Sequence, residues 1–199
     1  MTIYLDEDHF GIDRDGIVFA NVMSCMALIV EEDGLEGPRL FGYHMTLSTS
    51  ADFVRRAAGH IRAPGQRTLQ IVCIGNVPVF SHDPEGKRDA NMVFPATLKG
   101  TLSESFDYRG SLLSFDASGV ISAKVKLGGA TVRAQRQADG MVHYSIGDYT
   151  TIAQAAGRGN SDIWEITAGR GIIRPRLGSS IYNIAGNLTL LPTQGMRTD

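Results

Sequence analysis

Two apolar segments separated by a short turn constrain the fold of this chain more than any other feature of its sequence. Met26 to Val30 and Arg39 to Leu47 have the length and the apolar content of strands. The stretch between them contains two glycines and a proline, which favour a turn. The sequence therefore predicts a β-hairpin over residues 25 to 47.

Other short apolar segments have the same character and are bounded by turn residues. They are Ile3 to Leu5, Ile17 to Val22, Leu69 to Ile74, Gly110 to Phe115, Val120 to Leu127, Ala130 to Ile146, Ile163 to Thr167, Gly171 to Arg174 and Ser180 to Leu191. Asp139-Gly140 suits a type I′ turn, so residues 130 to 146 predict a second hairpin. We expect polar connections at residues 6 to 16 and 81 to 91, and mainly strands and turns after residue 95.

One segment has the periodicity of a helix. Apolar residues recur at helical spacing over residues 51 to 62, with arginines on the opposite side and hydroxyl side chains just before the first turn. A second, short helix is expected at Tyr149 to Ala156. The predicted fold class is α+β, with a β-rich, sandwich-like core of mainly antiparallel strands and one or two flanking helices.

The composition fits one domain over residues 1–199 and excludes some partners. Of the 199 residues, 43% are hydrophobic and 20% charged, which is enough to bury a continuous core. A formal net charge of -2 disfavours binding to nucleic acid or to an anionic membrane. The apolar runs are shorter than the roughly 20 residues that span a bilayer. With no cleavable signal peptide in the sequence, we expect a cytoplasmic protein, or one exported without such a peptide.

A cysteine and a histidine in the first predicted hairpin could carry chemistry. We place the centre of its turn between Gly34 and Leu35. In that register Cys25 pairs with His44, and cross-strand neighbours have Cβ atoms about 4.5 to 5.5 Å apart. A thiol and an imidazole at that separation can exchange a proton to form the nucleophilic thiolate. The bend at Ser24 could direct a backbone N–H towards a developing oxyanion.

The segment Val22 to Val30 with its Ser24-Cys25 pair, and the segment Gly42 to Leu47 with His44, are followed by a helix and a strand. This order, over roughly residues 17 to 80, resembles the chemoreceptor glutamine deamidases of the CheD type. It is also similar to the catalytic domains of cytotoxic necrotising factor and Burkholderia lethal factor. The resemblance implies that Cys25 attacks a glutamine side-chain amide, that His44 acts as general base and acid, and that water converts the thioester to glutamate.

The match to this family has three departures. Some members have a threonine six residues before the cysteine, where this chain has Phe19. A backbone carbonyl or another side chain would then orient the histidine. The chemoreceptor enzymes also have a glycine where this chain has Met23, and paired glycines where it has Phe41-Gly42. The departures imply a divergent, toxin-like bacterial member whose core lies in residues 1–80, with a β-rich remainder over residues 81–199.

Neither a metal nor a cofactor is expected. The two cysteines, Cys25 and Cys73, lack metal-ligand spacing and are expected to be free thiols. An acidic segment at Asp6 to Asp8, followed by His9, lacks the ligand spacing of a calcium loop. We expect this segment to be a solvated acidic loop.

Two classes of function remain open. The first is a cysteine-dependent amidohydrolase, such as a toxin or effector, that acts without a cofactor on a glutamine of a target protein. A peptidase or a transglutaminase would use similar residues. The second is a non-catalytic β-rich binding protein of the immunity or adaptor type, in which Cys25 is a buried apolar residue and His44 an ordinary strand residue. The target and the oligomeric state lie beyond the sequence.

Overall fold

The computed structural model of the chain describes residues 2–76, 95–124 and 129–148, and the backbone of four short strands beyond them. The strands are β1 (Thr2–Leu5), β2 (His9–Asp13), β3 (Gly16–Val22), β4 (Met26–Asp33), β5 (Arg39–Met45), β6 (Arg67–Gly75), β7 (Leu113–Asp116), β8 (Ala130–Arg136), β9 (Val142–Asp148), β10 (Ile163–Thr167), β11 (Gly171–Ile173), β12 (Ile181–Asn183) and β13 (Thr189–Leu191). The helices are α1 (Ala51–Ile61), α2 (Pro95–Ser105) and α3 (Ser118–Lys124).

Most of the strands belong to two sheets. The small sheet has four strands in the order β1-β3-β8-β9, and the large sheet has seven in the order β11-β10-β2-β5-β4-β6-β7. All pairs in them are antiparallel except β1 with β3 and β6 with β7. The remaining strands, β12 and β13, pair with each other. This arrangement confirms the α+β class and the β-rich, sandwich-like core.

The central strands of the large sheet, β4 and β5, are buried on both faces. The helix face of this sheet packs against α1 and α2, and its sandwich face packs against the small sheet and α3. Successive residues of β4 alternate between the two sides, with Leu28 and Val30 in the helix-face core and Ala27 and Ile29 in the sandwich-face core. Because both sides of β4 are covered, its sequence is an unbroken apolar run rather than an alternating one.

The β4–β5 hairpin forms as predicted, but the predicted register was wrong. Ala27, not Cys25, lies opposite His44. The turn is closed by a hydrogen bond of 2.9 Å from the Gly37 N–H to the Gly34 carbonyl, and Gly37 has a φ of 88°. The centre of the turn is therefore one position further along the chain than predicted, which moves every pair by two residues. A shift of two leaves each side chain on its predicted face.

Helix α1 ends one residue before its predicted boundary. Ser50 is its N-cap, and the hydroxyl oxygen accepts a hydrogen bond of 3.2 Å from the Phe53 N–H. The buried residues Val54, Ala57, Ala58 and Ile61 face the large sheet. The amphipathic pattern thus predicted both the helix and its buried side.

The acidic connection predicted between β1 and β3 contains a strand, β2. Phe10 is fully buried there, and β2 pairs with β5 on one side and with β10 on the other. The prediction of a solvated loop was also wrong, because Asp8 and His9 are buried, with 4% and 3% of their surface exposed. The polar residues of this segment do not indicate a strand, and β2 forms because β5 and β10 pair with it in the large sheet.

The predictions after residue 95 were mixed. Helix α2 lies where strands and turns were expected, and α3 takes up most of the predicted strand Val120 to Leu127. The β8–β9 hairpin is confirmed, but its turn is not type I′, since only Gly140 of the Asp139-Gly140 pair has a positive φ. The predicted loop at 81–91 and helix at 149–156 lie outside the described residues.

Within the described part of the chain, no helix is long and apolar enough to cross a membrane.

Candidate functional site

The backbone holds Cys25 directly before the first residue of β4, an interior strand of the large sheet. Cys25 follows a bend at Met23 and Ser24, and only 2% of its surface is exposed. The Cys25 carbonyl accepts a hydrogen bond of 3.2 Å from the Asn76 N–H. A Cβ atom added to Gly75 would lie 2.5 Å from that carbonyl oxygen, so only glycine allows β6 to approach so closely. The position of the thiol is therefore set by rigid strands.

His44 is fully buried between the two sheets. Its Nδ1 is 3.2 Å from the Leu5 carbonyl oxygen, and its ring meets the Phe19 ring edge-on at a centroid distance of 6.0 Å. A carbonyl only accepts hydrogen bonds, so Nδ1 carries the proton and Nε2 the lone pair. Burial lowers the pKa of His44 to about 4, which keeps the imidazole neutral at pH 7. Its Nε2 has no hydrogen-bond partner among the described residues.

The two predicted catalytic side chains share the sandwich face but are not hydrogen-bonded to each other. His44 lies opposite Ala27, and Cys25 is two residues before Ala27 on the same strand. Diagonal neighbours of this kind have Cα atoms about 7 to 8 Å apart, beyond the distance expected for the predicted direct pair. Ser24, the predicted support residue, is exposed.

The partner of the thiol is a carboxylate that the sequence did not single out. Cys25 Sγ donates to Glu7 Oε1 at 3.3 Å. Burial raises the pKa of Cys25 well above its ordinary value, and the charge and the hydrogen bond of Glu7 raise it further. The Glu7 pKa is also raised, chiefly by burial, although the bond from the thiol opposes that effect. At neutral pH the thiol is therefore protonated, with Glu7 Oε1 as its acceptor.

Glu7 is presented by the tight turn between β1 and β2. The His9 N–H donates to the Asp6 carbonyl at 3.0 Å, and Asp8 takes a φ of 62°, which aspartate tolerates better than most residues. The Asp8 N–H then donates to the His44 carbonyl at 2.9 Å. The turn that contacts the thiol is thus attached to the backbone of the candidate base.

The side chain of Asp8 strengthens this attachment. Thr46 Oγ1 donates to Asp8 Oδ1 at 2.9 Å, and the Thr46 N–H donates to Thr49 Oγ1 at 2.9 Å. Burial raises the pKa of Asp8 to about 7, with the hydroxyl of Thr46 opposing the shift. Asp6, on the other side of Glu7, has its pKa raised to about 6, again by burial. This turn therefore holds three adjacent carboxyl groups with raised pKa values, and one of them, Glu7, accepts the hydrogen bond of the thiol.

The sequence contained little that could identify this cluster. Asp6, Glu7 and Asp8 have the appearance of a solvated turn, and their burial results from the pairing of β1 with β3 and of β2 with β5. The departure at Phe19 left either a backbone carbonyl or another side chain to orient the histidine, and the structure places the Leu5 carbonyl 3.2 Å from His44 Nδ1. Among the described residues, no group of three or more His, Cys, Asp or Glu side chains is arranged to hold a metal ion.

Cys73 differs from Cys25 in its surroundings. Both are buried free thiols. Cys73 pairs with Leu28 and packs in the apolar core of the helix face. Burial alone raises its pKa to about 12. Cys73 is therefore an ordinary core residue, as its sequence context predicts.

Comparison with known proteins gives no relative of this chain: no family model, curated protein or solved structure matches it.

Proposed function

We propose that this chain is a cysteine-dependent amidohydrolase that deamidates a glutamine side chain of a target protein, as a toxin-like effector. The observation that carries the proposal is the state of His44. Its Nδ1 is held by the Leu5 carbonyl, and its buried Nε2, on the sheet face that also bears Cys25, has no partner in the part of the chain that the structure describes. A neutral imidazole with a free nitrogen is the form that a general base requires.

The free-energy cost of burying an imidazole nitrogen without a hydrogen-bond partner supports a functional role for His44. A buried polar atom without a partner costs about 1–3 kcal/mol, and most such atoms in folded proteins are satisfied. An imidazole retained at this position in an oriented tautomer fits a residue that accepts a proton during a reaction.

The reaction assigns one role to each residue. The Cys25 thiol passes its proton to His44 and forms a C–S bond to the amide carbon, the C–N bond breaks, and the nitrogen leaves as ammonia with that proton. Water then attacks the thioester, and the thiol and a glutamate side chain are restored. The bend at Ser24 could supply a backbone N–H to the oxyanion. Cys25 first has to release its hydrogen bond to Glu7 and bring its sulfur within hydrogen-bond distance of His44 Nε2.

A second candidate function is a non-catalytic binding protein. The burial of Cys25, the raised pKa of its thiol and its bond to Glu7 favour this alternative. In that case the thiol and the imidazole are separate core residues, and neither influences the reactivity of the other.

Alkylation of Cys25 tests the proposal. The rate of modification by iodoacetamide would be followed by peptide mass spectrometry as a function of pH, in the native protein and in His44→Gln, whose side-chain amide can still donate to the Leu5 carbonyl. If His44 accepts the thiol proton, the substitution slows alkylation near neutral pH by about a hundredfold or more, the lower end of the range for general-base catalysis. His60→Gln, on the exposed side of α1, is the matched control.

The two functions differ in outcome. A rate that falls only in His44→Gln supports the amidohydrolase. Equal rates in all three proteins at every pH would reject it in favour of the binding protein.

A further inference from the structure

Glu7 lies between the buried thiol and the solvent. Cys25 is buried, while Glu7 and Asp6 are partly exposed on the turn between β1 and β2. A ligand that approaches the thiol from this turn meets the Glu7 carboxylate, which already accepts the S–H bond at 3.3 Å. A ligand group can therefore replace the thiol at Glu7 only if it suits a carboxylate hydrogen-bond acceptor.

The Glu7 carboxylate can distinguish a ligand that carries an amide from one that carries a carboxylate. It only accepts hydrogen bonds, whereas a primary carboxamide offers two N–H donors and no charge. A ligand carboxylate offers no donor when ionised, and is repelled by Glu7 and its acidic neighbours. Among the described residues, no lysine or arginine pairs with Asp6, Glu7 or Asp8 to offset this repulsion.

We propose that Glu7 is a specificity-determining residue that admits neutral primary carboxamides to Cys25 and excludes carboxylates, by accepting an amide N–H in place of the thiol S–H. This inference rests on the proposed function and deepens it. An N–H bond to a carboxylate is stronger than one from the weakly donating thiol, so the exchange is favourable. It frees the thiol from Glu7, and the charge of the acidic product promotes its release.

Two alkylating reagents that differ in this one group provide the probe. Iodoacetamide carries a primary amide and iodoacetate a carboxylate. The ratio of their rates at Cys25 would be measured at one pH by peptide mass spectrometry and divided by the same ratio for glutathione. Since both reagents attack the same thiolate, a change in the Cys25 pKa cancels in this ratio.

The native protein is expected to favour iodoacetamide over iodoacetate by about tenfold relative to glutathione, the range for a hydrogen bond to a charged group. Glu7→Gln keeps the shape of the side chain and removes its charge, and its ratio should fall most of the way to that of glutathione. Glu36→Gln is the control for net charge, because Glu36 is exposed in the β4–β5 turn with 79% of its side-chain surface accessible.

The outcomes are distinct. A native ratio equal to that of glutathione, an equal fall in Glu7→Gln and Glu36→Gln, or no reaction with either reagent in the folded protein would overturn the proposal. Glu7→Ala serves as the second variant if Glu7→Gln does not fold. Selectivity that depends on Glu7, combined with alkylation that does not depend on His44, would retain the selectivity and reject the amidohydrolase.

Discussion

Two regions of the large sheet bury ionisable side chains, but the partners of these side chains differ. On the helix face, Glu32 is buried and forms an ion pair of 2.9 Å with Arg39, while Arg62 lies 3.7 Å away. In the turn between β1 and β2, Asp8 and Glu7 have hydroxyl or thiol partners and no cation among the described residues. A compensated charge is compatible with a purely structural role, whereas an uncompensated cluster is costly and calls for another explanation.

The two cysteines show the same contrast. Cys73 lies among apolar side chains of the helix face, where burial alone determines its pKa. Cys25 lies at the end of a strand, where a carboxylate adds to the effect of burial. Both thiols are protonated at neutral pH, but only Cys25 has neighbouring groups that could change its reactivity.

The largest expected effect concerns the ion pair on the helix face. Arg39→Met leaves Glu32 buried without its closest cation and should lower the free energy of unfolding by about 3–5 kcal/mol. Urea denaturation measures the change. The exposed pair between Arg55 and Glu104 is the control, and Arg55→Met should cost less than about 1 kcal/mol. A similar loss in both variants would remove the distinction between compensated burial and surface pairing.

The double variant Glu32→Met/Arg39→Met sharpens this test. Replacing both partners by apolar side chains should recover most of the stability lost in Arg39→Met, because no unpaired charge remains buried. If the double variant were as unstable as Arg39→Met, packing rather than charge would explain the loss.

The next effect concerns the close contact between the two sheets. A Cβ atom at Gly42 would lie 2.9 Å from the Ile17, Leu5 and Phe19 side chains, so Gly42→Ala should cost about 1–3 kcal/mol in unfolding free energy. Gly59→Ala is the control, because nothing lies within 4 Å of the added carbon and a helical alanine is favoured by up to about 1 kcal/mol. An unchanged denaturation midpoint in Gly42→Ala would contradict the close packing of the sandwich.

The acidic cluster predicts a dependence of stability on pH. The folded state holds a proton on Asp8 up to a pKa of about 7, whereas the unfolded chain loses it near 3.8. Between these values the folded state binds more protons, so this group's contribution to stability is complete at low pH and is lost as the pH rises through 7. Asp8→Asn should therefore raise the unfolding free energy near pH 8 by up to about 4 kcal/mol, because the shift of about three pKa units is worth about 1.4 kcal/mol for each unit.

Urea denaturation at about pH 5 and about pH 8 checks this prediction. His44 has the opposite sign, because its pKa of about 4 lies below the ordinary value of 6.5 and its contribution to stability rises with pH between the two. Because the Asp8 contribution falls with pH, Asp8→Asn should gain more unfolding free energy at the higher pH than at the lower one. Thr46 can still donate to the new amide oxygen. An equal gain at both pH values would show that the effect is not electrostatic.

The smallest expected effect concerns the helix layer. Ser50→Ala removes the acceptor for the Phe53 N–H at the start of α1 and should cost about 1 kcal/mol. Ser50→Asp keeps an acceptor and should retain most of the stability. Thermal denaturation of the three proteins separates these cases, and equal midpoints would mean that the cap does not stabilise α1 measurably.

Much of the fold could be predicted because it depends on local patterns. The apolar run of β4, the turn glycines before β5 and the helical spacing in α1 each predict their element without reference to the rest of the chain. Strand β2 and helix α2 could not be predicted in this way. β2 is a short, partly acidic segment that becomes a strand because β5 and β10 supply its hydrogen bonds.

For the candidate site, the sequence by itself determined the identity of the pair and the face that it shares. Strand side chains alternate with a period of two, so a register error of two residues left Cys25 and His44 on the same side. Only the tertiary structure decided what each of them contacts. Leu5 and Glu7 reach the site because β1 pairs with β3 and β2 with β5, and such long-range pairing has no local pattern in the sequence.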